Sequence, residues 1–251
     1  MTDLELAWRV EQACFHAWPA LEEVRVSEWV ARAGRGLTRR NSSANPLSPD
    51  ARLTDITIEA CAELYRGWGL PAIFRLPSFL DPTADRRLEQ LGYALDEPVL
   101  TLFAERDRLV AAADPGVQIM PTPDADWLAA RAALNGYTAE DAVTFALVAE
   151  RLRAPAAFAA LRVDGQVASL AFVARHQDLL CVESVATDER LRGRGLARRM
   201  LAALLAAPLG QTCQGVCLQV RADNAPAIAL YGNLGLSREL YRYNYRRAAQ
   251  S

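Results

Sequence analysis

The sequence predicts an α/β (α+β) chain made of two similar halves, and three observations carry that prediction. After residue 117 the hydrophobic segments alternate between period-two and period-3.6 patterning, in the order β-α-α-β-β-β-α-β-α-β. Within this run Asp164-Gly165 separates two apolar stretches, and this dipeptide supplies the positive φ angles of a tight hairpin. The third observation is self-similarity. Asp81-x-x-Ala84-x-x-x-Leu88-x-x-Leu91-Gly92-Tyr93 aligns with Asn224-x-x-Ala227-x-x-x-Tyr231-x-x-Leu234-Gly235-Leu236 at a constant offset of 143. Either the chain is a structural duplication, or two helices merely end alike at Leu-Gly.

In the first half the pattern gives a helix over Leu4 to Ala17, strands over Glu23 to Ala33 and Gly36 to Ser42, and a loop at Asn45-Pro46-Leu47-Ser48-Pro49. A helix over Thr54 to Trp68, a strand over Ala72 to Leu76, a helix over Ala84 to Leu91 and a strand over Val99 to Phe103 complete it. The segment Ala111-Ala112-Ala113-Asp114-Pro115-Gly116 reads as a linker, which divides the chain into 1–108 and 117–251. The second half opens with a strand over Val117 to Met120 and a helix over Asp124 to Leu134 with Asp124 or Asp126 near its cap. A helix over Tyr137 to Arg153 follows, where Thr138 and Asp141 have capping-box spacing. Next come the hairpin Phe158 to Val163 with Gln166 to Arg175, and a strand over Leu179 to Ala186. Helix Leu196 to Ala207 is stopped by Pro208 and Gly210, strand Gly215 to Arg221 and helix Ala225 to Leu234 come next, and strand Arg238 to Arg246 closes the chain.

Composition removes several classes of function. With 51% hydrophobic and 23% charged residues the 251-residue chain can bury a core and is not low-complexity. Its longest apolar run, Met200 to Ala207, is too short for a membrane span, and Asp3 and Glu5 stand where a signal peptide would be basic, so a cytoplasmic protein is expected. The net charge of −2, with both signs intermixed, points to neither nucleic acid nor an anionic membrane as partner. All 28 basic residues are Arg, which fits GC-rich codon usage. Cys14, Cys61, Cys181, Cys213 and Cys217 are scattered and have only His16 and His176 to complete a metal site; they read as reduced core thiols, and no metal is expected.

The feature that carries chemistry is Arg190-Leu191-Arg192-Gly193-Arg194-Gly195-Leu196-Ala197, between a strand and a helix. Glycines let a backbone approach a diphosphate, and the N–H groups and dipole of a helix N-terminus attract it, with Arg190, Arg192 and Arg194 on the rim. A surface turn rich in Arg is the alternative. A dinucleotide fold is disfavoured, because Arg198 replaces the third glycine and the 164–165 hairpin contradicts a parallel βαβ unit.

The run Val185-Ala186-Thr187-Asp188-Glu189-Arg190-x-x-Gly193-x-Gly195, followed by Asn224-x-x-Ala227-x-x-Leu230-Tyr231-x-x-Leu234-Gly235-Leu236, resembles the GCN5-related N-acetyltransferase (GNAT) family over roughly 117–251. The resemblance implies tandem GNAT-like domains, each a central mixed, mostly antiparallel sheet flanked by helices. It implies acetyl-CoA as co-substrate and an amine acceptor. It places Ser184, Val185 and Thr187 along the pantetheine arm, where the strand splays from its neighbour at a bulge. The pyrophosphate would lie on the amides of Arg192, Gly193, Arg194, Gly195, Leu196 and Ala197, and Asn224 would bond pantetheine or phosphate. Tyr231 takes the place of the general acid that protonates the departing thiolate; a half-buried helix aromatic is the bland alternative.

For the general base, no motif decides. Glu183 lies two residues before Val185, so alternation puts both on one face unless a bulge intervenes. The competing account is a partly exposed strand carboxylate. His176 reads as a loop residue. The expected reaction is direct attack of the amine on the thioester in a ternary complex, with the oxyanion held by a backbone N–H near Val185. No cysteine sits where a covalent acyl carrier would be needed. A non-catalytic acyl-CoA sensor or partner-binding protein would keep the Arg/Gly loop without needing Tyr231.

At the same offset the first half shows Pro49-Asp50-Ala51-Arg52 in place of the phosphate glycines, Leu88 in place of Tyr231 and Asp81 in place of Asn224. Pro has no N–H to offer and Asp50 repels a diphosphate. The first half is therefore expected to be a degenerate copy that has lost the cofactor site and to shape the substrate cleft instead, with the segments Arg39 to Asn45 and Trp68 to Arg75 as its polar and aromatic features.

Overall fold

A computed structural model of the chain describes residues 2–96 and 98–249. Helix α1 (Asp3–Ala17) starts from a capping box, in which Thr2 and Glu5 each accept the other's backbone N–H. Strands β1 (Glu22–Val26) and β2 (Trp29–Ala33) form a hairpin, where one long strand was expected. The break comes at Ser27, whose φ of 55° reverses the chain.

Gly36 to Ser42, expected as a strand, is a loop ending in a 3₁₀ turn over Arg39–Asn41. Arg35 and Gly36 have positive φ, and Ser42 Oγ accepts the N–H groups of Gly34 and Gly36, so the loop closes on its own hydroxyl. The strand lies further on, at β3 (Ala44–Pro46), inside the segment expected to be loop. Helix α2 (Asp55–Gly67), strand β4 (Ile73–Pro77), helix α3 (Thr83–Gln90), the two-residue strand β5 (Ala94–Leu95) and strand β6 (Val99–Glu105) follow.

In the second half β7 (Val117–Met120), α4 (Ala125–Leu134) and α5 (Ala139–Glu150) lie where their caps place them, with Asp124 capping α4 and the Thr138/Asp141 box capping α5. The hairpin joins β8 (Ala156–Val163) to β9 (Gln166–His176) through Asp164 (φ 50°) and Gly165 (φ 79°). Then come β10 (Leu179–Thr187), α6 (Leu196–Ala206), α7 (Pro208–Gln211), β11 (Gly215–Arg221), α8 (Ala225–Gly232) and β12 (Arg238–Arg247). Pro208 ends α6 as expected, but it also opens the single turn α7, a position that needs no N–H from it.

All the strands form one sheet, ordered β1-β2-β3-β4-β12-β6-β11-β10-β9-β8-β7, with β5 on β12. Among the described residues only β3/β4 and β10/β11 are parallel, and in each half a helix joins the parallel pair. The last strand of each half has crossed over: β6 inserts between β11 and β12, and β12 pairs with β4. Helices α1, α4 and α5 cover one face, over Trp18, Trp127, Phe158, Phe172, Tyr241 and Tyr243. Helix α6 and Tyr231 of α8 lie on the other, over Leu180, Val182, Leu218 and Val220. On that same side α2 and α3 pack on Trp29, Phe74 and Leu76.

The matched helix ends have the same geometry. Tyr93 N–H donates to Leu88 O (3.0 Å) after Gly92 (φ 79°), and Leu236 N–H donates to Tyr231 O (2.9 Å) after Gly235 (φ 96°).

Candidate active site

The site begins where β10 leaves β11. Their parallel pairing runs from Leu179↔Gly215 to Val182↔Leu218 and then stops. On its other side β10 slips register against β9 between Glu183 and Ala186, so Ser184 and Val185 together face the single residue Ala171. Ser184 has φ 57°, which marks it as the residue that kinks the strand. The splayed strand expected for residues 184–187 is therefore present.

The bulge corrects one expectation. Glu183 and Val185 do not share a face: Val185 packs with the α6-side core, whereas Glu183 points with Cys181 toward α1 and α4. An extra residue in the strand inverts the alternation beyond it. Of the other strand residues, Ser184 Oγ is buried and makes no hydrogen bond among the described residues, and Thr187 Oγ1 lies 2.9 Å from Ser169 Oγ.

Glu183 is not a partly exposed strand carboxylate either. It is 2% exposed and bound by both ends of one guanidinium, with Arg40 Nη1 at 2.7 Å from Oε1 and Arg40 Nη2 at 2.6 Å from Oε2. Burial pushes its carboxyl above the ordinary range, and the Arg40 charge pulls it back in part. Arg40 comes from the first half, in the 3₁₀ turn, and its guanidinium stacks on Trp18 with 4.6 Å to the ring centroid.

Tyr231 approaches from the opposite face. It is buried in the α6-side core, and its hydroxyl makes no hydrogen bond among the described residues. Burial, reinforced by the nearby Glu183 carboxylate, pushes its phenol up to about 12. Glu183 and Tyr231 thus bracket the gap between β10 and β11 from its two sides.

The loop beyond β10 runs through Asp188, which accepts from Arg190 Nη2 at 2.7 Å, and through the exposed pair Arg192–Glu189 at 2.9 Å. Gly193 (φ 76°) and Gly195 (φ 74°) sit in the left-handed region that favours glycine, and Gly195 is the N-cap of α6. The first intrahelical bond is Arg199 N–H to Gly195 O, so the N–H groups of Leu196, Ala197 and Arg198 have no partner one turn back. No side chain caps this end, and no acidic residue lies in the first turn. Arg192 and Arg194 are exposed beside it. An uncapped helix start behind two left-handed glycines can take an anion. Asn224 caps α8, its Oδ1 accepting from Ala227 N–H at 3.2 Å, which leaves the side-chain amide N–H groups to serve a ligand.

Some pairings escaped the sequence reading. Arg40 lies in the polar segment Arg39 to Asn45 singled out from the sequence, but it stands 143 residues from Glu183 and no local pattern joins the two. Cys14, Cys181 and Cys217, scattered in sequence, bring their sulfurs within 4.8 Å of one another beneath Glu183; Cys213 and Cys61 are buried elsewhere. The register Cys181↔Cys217 is a pairing that only the sheet reveals. His176 stacks on His16 at 4.2 Å, away from Glu183 at the far end of β9.

A family model described as "Probable histone acetyltransferase Rv0428c C-terminal" matches residues 8–246. The chain belongs to this family, a GNAT family. Among curated proteins, the "Uncharacterized N-acetyltransferase YobR" of Bacillus subtilis (strain 168) is 23% identical over 249 residues, covering 95% of this chain and 97% of its own length. In overall fold this GNAT chain is similar to a GCN5-related N-acetyltransferase from Kribbella flavida, with TM-score 0.71, 17% identity, and 99% and 96% of the two chains covered. It is also similar to a tandem GNAT protein from the clavulanic acid biosynthesis pathway, with TM-score 0.61, 17% identity, and 83% and 76% covered. The tandem GNAT architecture expected from the sequence is thereby shown. Among the described residues no helix is long and apolar enough to cross a membrane.

Proposed function

We propose that the chain transfers an acetyl group from acetyl-CoA to a primary amine of a small molecule or peptide, by direct attack in a ternary complex. The observation that carries this reading is the pairing of Glu183 and Tyr231 across the β10/β11 gap, with the uncapped start of α6 at its mouth. The residues fit the co-substrate. Amides 196–198 and the rim residues Arg190, Arg192 and Arg194 suit a diphosphate, and the bulge at Ser184 and Val185 frees backbone for an amide-bearing arm.

Each residue then has one task. Glu183, a stronger base than an exposed carboxylate because it is buried, accepts the proton of the incoming ammonium, directly or through water. The freed amine forms the C–N bond as the C–S bond breaks, and the second nitrogen proton, released as the amide forms, returns to the Tyr231 phenolate directly or through water. Tyr231 stays protonated at neutral pH and donates its phenolic proton to the departing sulfur. A backbone N–H near Val185 polarises the carbonyl oxygen. Arg40 keeps the Glu183 carboxylate in one orientation.

The test is Tyr231→Phe. Because the hydroxyl makes no hydrogen bond among the described residues, the variant keeps its stability and acetyl-CoA affinity, while CoA release with an amine panel falls about 10²- to 10⁴-fold. Unchanged kcat refutes the role of Tyr231. Acetyl-CoA binding without turnover on a broad panel refutes the enzyme.

A further inference from the structure

Buried guanidiniums in this protein come with carboxylates, with one exception. Arg32 pairs with Glu23 at 3.0 Å, Arg75 with Glu11 at 2.7 Å and Arg246 with Asp85 at 2.8 Å. Arg131, on α4, is 6% exposed, yet no carboxylate lies within ion-pair distance of it among the described residues. Its Nε and Nη1 make no hydrogen bond. The ring faces of Tyr137 (4.9 Å) and Phe145 (5.2 Å) flank it, and the Tyr137 hydroxyl lies close enough to favour its charge. Burying a charge without a counter-ion costs several kcal/mol, so a fold that keeps one there pays for something other than stability. Its place explains what: α4 packs on β9 and β10, and the charge of Arg131 interacts with those of Arg40 and Glu183.

The other side of the gap is built from donors as well. A cavity of about 230 Å³ is lined by Arg39, Arg40, Arg221, Gln219, Tyr243 and Tyr245, with Thr38 and Val99, and none of its lining residues is acidic. Its three guanidiniums already have carboxylates of their own, Asp96, Glu183 and Asp223. Gln219 Nε2 and Tyr245 Oη, however, make no hydrogen bond among the described residues. A cationic peptide finds no counter-charge in such a lining.

We propose that the acceptor is an amine that also carries a carboxylate, in the manner of an amino acid, and that Arg131 binds that carboxylate. The inference rests on the acetyltransferase reading above and sharpens it. A guanidinium fork matches a carboxylate in two parallel N–H···O bonds, which Nε and a terminal nitrogen of Arg131 can supply.

The experiment compares α-amino acids, their carboxamides, the corresponding decarboxylated amines, the matching aminophosphonates and a lysine-rich peptide, by thiol release and by binding of the N-acetylated products. The acids are expected to exceed their amides by roughly 10²-fold in kcat/KM, since a site built for a charged partner rejects the analogue lacking it. Arg131→Met should erase that ratio while leaving acetyl-CoA affinity unchanged and the melting temperature equal or higher, because a buried unpaired charge is removed. Arg131→Lys keeps the charge without the fork and should retain part of the ratio. If amides, decarboxylated amines or the lysine peptide are used as well as the acids, or if Arg131→Met lowers all acceptors alike, the proposal fails. Aminophosphonates outperforming the carboxylates would overturn the choice of carboxylate. N-acetyl acids that bind in an Arg131-dependent way without any turnover would uphold the anion site while refuting the transfer reaction.

Discussion

The two strand-helix-strand crossovers of this protein, β3-α2-β4 and β10-α6-β11, have the same topology and opposite treatments of the helix start. In the first, the chain satisfies the helix end itself. Thr54 Oγ1 accepts from Thr57 N–H at 3.2 Å, Arg52 N–H is taken by the Glu28 carboxylate at 2.6 Å, and the Trp29 indole donates to Arg52 O at 3.0 Å. Ala51 is buried within the loop. In the second, Gly195 holds the cap position with no side chain to offer, no carboxylate lies in the first turn, and the exposed Arg192 and Arg194 stand beside it. A parallel crossover always presents a helix N-terminus at the strand ends. Whether that end becomes a binding site depends on whether the protein fills it with its own acceptors. The first half has filled its own.

The sharpest way to break this contrast is to give α6 the treatment α2 receives. Gly195→Asp puts a carboxylate at the N-cap of α6, where it both satisfies the free amides and repels a diphosphate. Helix-end attraction contributes up to about 2 kcal/mol, and replacing it by repulsion should weaken acetyl-CoA binding by roughly 10²-fold, measured by calorimetric titration. Gly195→Asn, equal in size and more tolerant of positive φ, should lose clearly less, because it caps without charge. Equal losses for both would mean that shape, not charge, governs the loop.

How much of this contrast the sequence showed depends on how local each cause is. The Thr138/Asp141 capping box, the Asp-Gly hairpin, the Gly-x-Gly loop and the paired Leu-Gly helix ends are local, and each was legible where it occurs, whereas the Thr2/Glu5 box of α1, equally local, was passed over. The crossing of β6 and β12 was not: both have the alternation of ordinary strands, and nothing in Val99 to Glu105 names β11 as its neighbour. Strand β3 was hidden for the opposite reason, being three residues long with Pro46 at its end, a poor strand by propensity. At the site, Tyr231 and the glycines lay within recognisable spacing. Arg40, Arg131 and the face of Glu183 depended on tertiary placement and, for Glu183, on one extra residue in a bulge.

The contact between the halves gives a smaller effect with a definite sign. Arg40 holds the carboxyl of Glu183 down while burial holds it up. Removing the guanidinium in Arg40→Met leaves burial alone, so the carboxyl must rise further and the deprotonated base must form at higher pH. The acidic limb of the kcat/KM profile should therefore move to higher pH, and Glu183→Gln should abolish that limb. A limb that stays in place in Arg40→Met, or survives in Glu183→Gln, assigns the base elsewhere. In the proposed placement acetyl-CoA meets neither residue through its phosphates, so its affinity should hold in both variants, separating this effect from that of Gly195→Asp.

The smallest effect tests the silent half of the comparison. If the start of α2 is capped for stability alone, Thr54→Ala should cost about 1 kcal/mol in a denaturant titration, the usual loss for an N-cap hydroxyl, and change neither acetyl-CoA affinity nor turnover. Asp55 and Arg87 pair in the open at 2.6 Å, so they should compensate little. A loss of acetyl-CoA affinity in Thr54→Ala beyond that of an equally destabilised control, such as Thr138→Ala at the cap of α5, would mean that the first crossover still takes part in ligand binding. The halves would then differ in degree of function, rather than in having a filled helix end and an open one.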